Sequence, residues 1–346
     1  MANASVALVV GVTGMAGINI AQALKSPTAQ GGPWTVYGAA RRAMPTWFPS
    51  SAVDHFITFD AVDFNDTNAT LAPLSNHITH VFWAAINVGR DQEDNIITNS
   101  TMLTNVIKAL MPIIGPLSYV IFRYKRDMAR LPHPNFYHAL EDVVKSYASD
   151  IRYTIHRPSI IVGASSRSVY NALVMLAAYA EICKYQNAPF RFFGNRYTWE
   201  HFSDMTDTRV LAEQHVWGAV NKKANNQAFN CTNGDVFTWK KMRGVLCEEF
   251  GVEFVPLDDK DGLFDLVDEM KDKGKVWNQI VEEKGLVKMK LEEIACFIGF
   301  QYLMRSDFQL VSSMNKSKEF GFFGYADSIK SVRFWIGKLR EMNIIP

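Results

Sequence analysis

The chain has 346 residues, of which 48% are apolar and 21% are charged, and its formal net charge is +1 at pH 7. Nucleic acids and anionic membranes require a concentrated basic face, which this near-neutral chain lacks, so neither is an expected partner. The apolar runs are broken by polar residues well short of a bilayer span, and no charged and apolar leader precedes the first predicted strand. We therefore expect a soluble, cytoplasmic protein.

The four cysteines are far apart in the sequence and form no C-x-x-C pair: Cys183, Cys231, Cys247 and Cys296. This spacing predicts neither a disulfide framework nor a zinc site, and we expect no bound metal. We expect all four to be buried as small apolar side chains.

The first predicted element is a buried strand over residues 5–10, followed by a glycine-rich turn and by apolar residues at helical spacing over 18–24. The turn reads Gly11-Val12-Thr13-Gly14-Met15-Ala16-Gly17. Gly11 permits a tight turn, Gly14 lets the main chain approach a dinucleotide pyrophosphate, and Gly17 lets the helix pack closely on the strand. Because the helix N-terminus faces the anion, Thr13 and Met15 are also predicted cofactor contacts. The spacing G-x-x-G-x-x-G is the form seen in short-chain dehydrogenases/reductases.

The second predicted strand, over residues 33–40, ends in Arg41 and Arg42. NAD-specific enzymes place a carboxylate here for the ribose hydroxyls, whereas a guanidinium pair suits a 2′-phosphate, so we predict NADPH. The alternative is a solvated arginine pair. A third strand over 55–60 ends in Asp60, which is either an acceptor for the adenine amino group, with Ala61 beside it, or an ordinary turn residue.

Strands and helices continue to alternate: a strand over 78–85, a helix over 102–110, a strand over 117–122, a helix over 135–144 and a strand over 153–163. Ala84 supplies a small side chain where the chain passes under the cofactor, and Asn99 is a further predicted cofactor contact. The alternation predicts an α/β fold with a doubly wound parallel sheet.

Beyond Gly163 the alternation loosens. A helix over 171–184 and amphipathic segments after Thr238 predict a mostly helical lid at the carboxyl ends of the strands. We therefore expect a dinucleotide-binding core over residues 1–165 and a mainly substrate-binding lid over 166–346. Segments near 192–212 and 226–232 are expected to return to the sheet.

Six motifs, in order along nearly the whole chain, resemble the plant progesterone 5β-reductase/iridoid synthase-like enone reductases, which are extended short-chain dehydrogenases/reductases. The motifs are Gly11-Val12-Thr13-Gly14, residues 33–42, residues 134–142 with Asn135-Phe136-Tyr137, His156-Arg157-Pro158, residues 229–237 and residues 312–319. The resemblance implies a Rossmann fold and an oxidoreductase of steroid or terpenoid metabolism that uses NADPH. It also implies 1,4-reduction of the activated C=C bond of a small-molecule enone or enal.

By the same resemblance, Tyr137 is the catalytic tyrosine. A donor at this position stabilises the negative charge that develops on the carbonyl oxygen, a contact worth about 3–4 kcal/mol. Pro158 and Ile161 belong to the loop that presents backbone groups to the nicotinamide carboxamide, and Ser165 and Asn171 match a second cofactor-contacting loop.

The resemblance also places Phe300 and Met314 in the substrate-binding region. Apolar residues at the spacing of Phe297-Ile298-Gly299-Phe300 are equally typical of helix core. The oligomeric state is not fixed by the sequence, and a homodimer is one hypothesis.

The chain departs from the family pattern after Phe122. The family pairs its tyrosine with a lysine in a T-G-x-K-H-Y motif, whereas this chain reads Arg123-Tyr124-Lys125-Arg126-Asp127. Three explanations stay open: a deleted or alternatively spliced segment, residues omitted from the recorded sequence, or a member that uses Lys125 as the catalytic lysine. Two other functions also stay open, a non-catalytic NADP(H)-binding variant and an alcohol dehydrogenase or sugar-nucleotide epimerase. An epimerase would be expected to keep Y-x-x-x-K, but Glu141 stands four residues after Tyr137.

Overall fold

The computed structural model describes residues 5–111, 134–258 and 262–346, together with the backbone of residues 116–120. The described chain forms two compact units. Unit 1 comprises residues 1–158, 208–231 and 313–324, and unit 2 comprises residues 159–207, 232–312 and 325–346. No helix among the described residues is long and apolar enough to cross a membrane.

Unit 1 is built on a sheet to which the described residues contribute seven strands. They are β1 (Ser5–Val10), β2 (Trp34–Ala40), β3 (His55–Thr58), β4 (His80–Trp83), β5 (Pro116–Val120), β6 (Arg152–Pro158) and β10 (Gln227–Cys231). Their order is β10-β6-β5-β4-β1-β2-β3, and every neighbouring pair is parallel. The chain therefore runs outward from β1 to β3, returns to the other side of β1, and then runs outward again from β4. Ligands of such sheets bind at this reversal, outside the carboxyl ends of the two central strands.

Helices cover both faces of this sheet. The helices of unit 1 are α1 (Met15–Leu24), α2 (Phe64–Leu71), α3 (Gln92–Leu110), α4 (Phe136–Ser146), α7 (Thr208–Val220) and α13 (Asn315–Glu319). Tyr153 and Ile155 of β6 lie in the core shared with α3 and α4, whereas His156 contacts α7 at Gly218. Because neighbouring residues of a strand point to opposite faces, α7 covers the face opposite α3 and α4.

Unit 2 is largely helical. Its helices are α5 (Ala172–Tyr185), α6 (Arg196–Glu200), α8 (Trp239–Phe250), α9 (Leu266–Met270), α10 (Gly274–Glu283), α11 (Leu291–Ile294), α12 (Phe297–Met304) and α14 (Ser328–Glu341). Two small sheets accompany them: β7 (Ile160–Val162) with β9 (Met205–Asp207), and β8 (Phe202–Ser203) with β11 (Phe237–Thr238). The first twelve residues of α5 are all buried, so this helix forms the centre of the core.

The predicted fold class, a doubly wound parallel α/β sheet with a largely helical C-terminal part, is confirmed. Residues 226–232 do return to the sheet as β10, but in the segment 192–212 the strand β9 pairs with β7 in a separate sheet. The strand predicted over 153–163 is broken at Ser159, because Pro158 has no N–H for the ladder and the N–H of Ser159 donates to Thr206 Oγ1.

Two further expectations need correction. The helix predicted from Met102 begins ten residues earlier, at Gln92, because the Asp91 side chain caps it by accepting the N–H of Asp94. Cys183, Cys231 and Cys247 are buried as predicted, whereas Cys296 is partly exposed at the start of α12.

Candidate functional site

The glycine-rich turn lies at the point where the strand order reverses. Gly11 has φ +83°, and a Cβ there would lie 2.7 Å from the carbonyl carbon of Ala84, just after β4. A Cβ on Gly17 would lie 2.2 Å from the carbonyl oxygen of Gly11. Any larger residue at either position would push α1 or β4 away from the turn. The absence of a side chain at Gly11 lets the turn pack directly against the segment after β4, and its absence at Gly17 lets α1 pack directly against the turn. A dinucleotide-binding turn requires both close approaches.

The N-terminus of α1 is suited to an anion. Gly14 is the N-cap residue, no side chain caps the helix, and the first turn carries no acidic residue. Thr13 and Met15 are both buried, at 6% exposed, and their direct contact with a cofactor stays a prediction. The N–H groups of a helix end and its dipole attract phosphate groups.

Arg41 and Arg42 follow β2, which pairs with β1 on the side away from β4. Both side chains are exposed, and neither guanidinium makes a hydrogen bond or ion pair with any residue that the structure describes. They remain available for a phosphate beside the glycine-rich turn. Guanidinium groups form bidentate, charge-assisted hydrogen bonds with phosphate oxygens.

Asp60 and Asn99 both shape loops at the carboxyl edge of the sheet. One oxygen of Asp60 accepts the N–H of Val62 in a turn, and Ala61 is buried with its carbonyl accepting from Asn105. The Asn99 amide is fully buried, and it donates to the carbonyls of Asn87 and Asn95 and accepts the N–H of Asn87. Asn99 thus fixes the loop between β4 and α3, and its direct contact with a cofactor stays a prediction.

Tyr137 lies in the first turn of α4. The Asn135 side chain caps this helix by accepting the Tyr137 N–H at 2.9 Å. The Tyr137 ring is partly buried, with its centroid 3.8 Å from that of Phe136, and it packs against the core of unit 1. The cap, the neighbouring ring and the core together hold the ring at the start of the helix.

A buried ion cluster joins α4 to the end of β6. Glu141, one turn after Tyr137, is only 2% exposed, and its carboxylate accepts from Arg157 Nε at 2.9 Å and from Nη2 at 2.8 and 2.9 Å. Lys145, one further turn along, donates to the same carboxylate at 2.9 Å. Burial by itself would raise the pKa of Glu141, but the charges and hydrogen bonds of Arg157 and Lys145 outweigh it, so the pKa lies below its usual range. Glu141 therefore ties the helix of Tyr137 to the strand that ends in Pro158.

The predicted cofactor loops fall in both units. Pro158 is buried at the end of β6 in unit 1, in register with Cys231 of β10. Ile161 of unit 2 is 4% exposed and lies in β7. Ser165 is 1% exposed, and its hydroxyl accepts the N–H of Arg167.

Asn171 orders the second of these loops in unit 2. Its side chain caps α5 and donates to the carbonyl of Gly163 at 3.0 Å. The loop over 163–171 is therefore pinned at both ends by one amide.

The predicted substrate residues are both buried. Phe300 is 5% exposed in the core of unit 2, where its ring meets those of Phe193 and Trp239 edge to face, with centroids 5.3 and 5.9 Å away. Met314 of unit 1 is 6% exposed at the N-terminus of α13. This environment favours core packing for Phe300, and the role of both residues toward a substrate stays a prediction.

Residues 115–346 match the family model described as the PRISE-like Rossmann-fold domain. The chain belongs to this family. The match begins at β5 and includes α4 with Tyr137 and Glu141, and the fragment of unit 1 that carries Met314.

Members of the PRISE-like family align with almost the whole chain. The (S)-8-oxocitronellyl enol synthase of Catharanthus roseus is 38% identical, with 99% of this chain and 92% of that protein covered. The 3-oxo-Delta(4,5)-steroid 5-beta-reductase of Arabidopsis thaliana is 37% identical, with 99% and 93% covered. The predicted resemblance is therefore confirmed, and the chain belongs to a family that contains enone reductases.

Solved structures share the fold at low identity. UDP-glucose 4-epimerase from Thermotoga maritima superposes with a TM-score of 0.63 at 15% identity, covering 97% of this chain and 99% of that one. The Bordetella bronchiseptica enzyme WbmG, solved in complex with NAD, gives 0.66 at 14% identity, covering 99% and 96%. These likenesses show that the PRISE-like chain has the architecture of the epimerase-type enzymes.

The alignment with one relative leaves a gap in this PRISE-like chain. Its alignment with (S)-8-oxocitronellyl enol synthase CYC1 of Camptotheca acuminata spans 371 positions, more than the 346 residues of this chain, so the relative has residues that face a gap here. Lys125, the predicted catalytic lysine, lies outside the described residues.

Sequence reasoning missed the part played by Glu141 and Arg157. Glu141 belongs to the motif over residues 134–142, and Arg157 belongs to His156-Arg157-Pro158. The i, i+4 spacing of Glu141 and Lys145 was a usable signal for their ion pair. The bidentate contact with Arg157 depends on how β6 packs beside α4, which no local pattern reveals.

Proposed function

We propose that this protein catalyses the NADPH-dependent 1,4-reduction of the activated C=C bond of an enone or enal. The observation that carries the proposal is the Asn135-Phe136-Tyr137 motif at the start of α4, in the same unit as the glycine-rich turn. The relatives named above support the substrate class, since one is a reductase of a 3-oxo-Delta(4,5)-steroid and others are 8-oxocitronellyl enol synthases.

The residues present fit a dinucleotide with a 2′-phosphate. The uncapped N-terminus of α1 would hold the pyrophosphate, and the exposed Arg41 and Arg42 would hold the 2′-phosphate. When bound, NADPH supplies the hydride that reduces the β-carbon of the substrate.

The task of the protein is then to stabilise the enolate. Negative charge builds on the carbonyl oxygen as the β-carbon is reduced, and the Tyr137 hydroxyl is the donor that we assign to that oxygen. One such preorganised donor is worth about 3–4 kcal/mol in the transition state. Glu141 keeps the helix of Tyr137 fixed to β6 through Arg157, so the donor does not have to be reoriented during the reaction.

One observation favours a second function, an NADP(H)-binding protein without reductase activity. The sequence Arg123-Tyr124-Lys125 stands where the family resemblance implies T-G-x-K-H-Y, and the alignment with the Camptotheca relative requires a gap in this chain. Loss of that lysine would leave Tyr137 as the remaining assigned donor for the enolate oxygen, while the glycine-rich turn and the arginine pair are kept.

A single set of measurements separates the two functions. NADPH affinity is measured by fluorescence, and the oxidation of NADPH is followed by absorbance with 2-cyclohexen-1-one, for the parent and for Tyr137→Phe. Reductase function predicts turnover in the parent, a turnover at least about tenfold lower in the variant, and equal NADPH affinity. Binding of NADPH without turnover in either protein would establish the second function instead.

A further inference from the structure

The loop between β4 and α3, residues 84–91, begins beside the glycine-rich turn. The N–H of Ala84 donates to the carbonyl of Val10, the last residue of β1, at 2.8 Å. In a doubly wound sheet the ligand binds outside the carboxyl ends of the two strands at which the strand order reverses, and these are β1 and β4 here. The loop therefore forms one wall of the place that this sheet offers to a dinucleotide.

Two neighbouring side chains at the start of α3 hold the far end of the loop. Asn95 is 6% exposed, and its Oδ1 accepts the N–H of Gly89 at 2.7 Å. The Asp94 carboxylate accepts the N–H of Arg90 at 3.0 Å, and this hydrogen bond holds the pKa of Asp94 below its usual range. A Cβ on Gly89 would lie 2.5 Å from a carboxylate oxygen of Asp94, so the absence of a side chain there lets the loop lie directly on the helix.

Asn99, one turn further along α3, holds the middle of the loop. It accepts the N–H of Asn87 at 2.8 Å and donates to the carbonyl of the same residue at 2.8 Å. Surface loops commonly satisfy their backbone polar groups with water. Here three of the four N–H groups over residues 87–90 donate to side chains of one helix, so α3 holds the loop in place.

The amide of Asn95 is an expensive choice for a buried position of a helix. Asparagine is a weak helix former, and a buried amide must find hydrogen-bond partners, whereas a leucine of similar size would pack without that requirement. What the amide supplies is the acceptor for the loop. A loop that is ordered before its ligand arrives does not have to be ordered during binding, and this saving appears as higher affinity.

We propose that Asn95 is a positioning residue for NADPH: its side chain holds the loop between β4 and α3 in the conformation that receives the dinucleotide. Asn95 acts through the backbone of Gly89 and is assigned no contact with the cofactor. The inference rests on the proposed function in taking NADPH as the ligand. It applies equally to a reductase and to an NADP(H)-binding protein without reductase activity.

The test compares the NADPH affinity of three full-length proteins by fluorescence titration. Asn95→Leu keeps the approximate size of the side chain and removes the acceptor, whereas Asn95→Asp keeps an acceptor oxygen at the same place. We expect Asn95→Leu to bind NADPH at least about fivefold more weakly than the parent, a factor typical of one hydrogen bond, and Asn95→Asp to bind more tightly than Asn95→Leu. Equal affinity in the parent and Asn95→Leu, or no recovery in Asn95→Asp, would overturn the proposal.

A second buried polar residue of unit 1 controls for lost stability. Thr154 is 2% exposed in the amino-terminal half of β6, and its hydroxyl lies 3.3 Å from the carbonyl oxygens of Gly218 and Ala224. Thr154→Val keeps the shape and removes these contacts, so it should lower the Tm and leave NADPH affinity unchanged. An equal loss of affinity in Thr154→Val and Asn95→Leu would show that Asn95 acts only through overall stability, which would overturn the proposal.

Hydrogen exchange tests the loop in the parent, without any variant. In the absence of NADPH, the amide of Gly89 should exchange at least about tenfold more slowly than an unprotected amide, because Asn95 accepts its hydrogen. Exchange at the unprotected rate would overturn the proposal. A parent that binds no NADPH would overturn the proposed function and this inference together, whereas NADPH binding of equal strength in the parent and Asn95→Leu would overturn this inference alone.

Discussion

The buried ion cluster of Glu141 should stabilise the fold strongly, but only while both Glu141 and its partner Arg157 are present. Glu141→Gln keeps the size of the side chain but leaves the Arg157 guanidinium, whose side chain is 13% exposed, without a countercharge. Breaking a buried pair from one side costs about 3–5 kcal/mol, because the remaining charge stays buried without a partner. Lys145 contacts the same carboxylate, but its side chain is 43% exposed, so Lys145→Met should cost about 0–1 kcal/mol.

A double-mutant cycle tests whether Glu141 and Arg157 stabilise the protein through their ion pair or only through the packing of their side chains. Glu141→Met combined with Arg157→Met removes both buried charges, and apolar replacement of a buried pair is often close to neutral. The double variant should therefore be more stable than either single variant, as measured by equilibrium unfolding in urea at pH 7. A Glu141→Gln variant within about 1 kcal/mol of the parent, or additive effects in the cycle, would refute this reasoning.

Three further outcomes are expected. Combining Arg41→Ala with Arg42→Ala should weaken NADPH binding by about 1.5–3 kcal/mol per lost contact and leave NADH binding unchanged, and equal NADPH affinity in titrations would contradict the 2′-phosphate assignment. Phe300→Ala should lower the stability by about 3–5 kcal/mol, because the ring is 5% exposed in the core. An unchanged Tm would contradict that placement, and a changed ratio of kcat/KM for 2-cyclohexen-1-one and progesterone would show a pocket wall. Burial lowers the pKa of His156 from 6.5 to about 4, although its ring donates a hydrogen bond to Gln214 Oε1, and the centroid of the His215 ring lies 4.1 Å from that of His156. This histidine therefore contributes stability above pH 6.5 that is lost as the pH falls toward 4. The Tm of the parent should fall over that range more steeply than that of His156→Gln, and parallel curves would exclude the histidine as the cause.

The sheet could be predicted because its signals are local. The apolar run over residues 5–10, the three glycines after it and the alternation of strands and helices each depend on neighbouring residues, and each appears in the structure close to the predicted place. The start of α3 was misplaced because residues 92–101 are mostly polar, and only the cap at Asp91 indicates the true beginning of the helix.

The structural features that the sequence did not predict depend on contacts between residues that are far apart in the sequence. The strand β7 was predicted as a continuation of β6, but it pairs with β9, more than 40 residues away in the sequence. Likewise the burial of Phe300 results from helix packing in unit 2, since apolar spacing alone does not distinguish a core residue from a pocket wall. The roles of the individual cofactor and substrate residues stay predictions.

The most direct test of the proposed function is the fate of the transferred hydrogen. The protein is incubated with 2-cyclohexen-1-one and NADPH that carries deuterium at both C4 positions of the nicotinamide, and the product is analysed by NMR. The proposed 1,4-reduction predicts cyclohexanone with deuterium at the β-carbon, formed at a rate that falls in Tyr137→Phe. Deuterium at the carbonyl carbon of an allylic alcohol, or no deuterated product while NADPH binds tightly, would contradict the proposal.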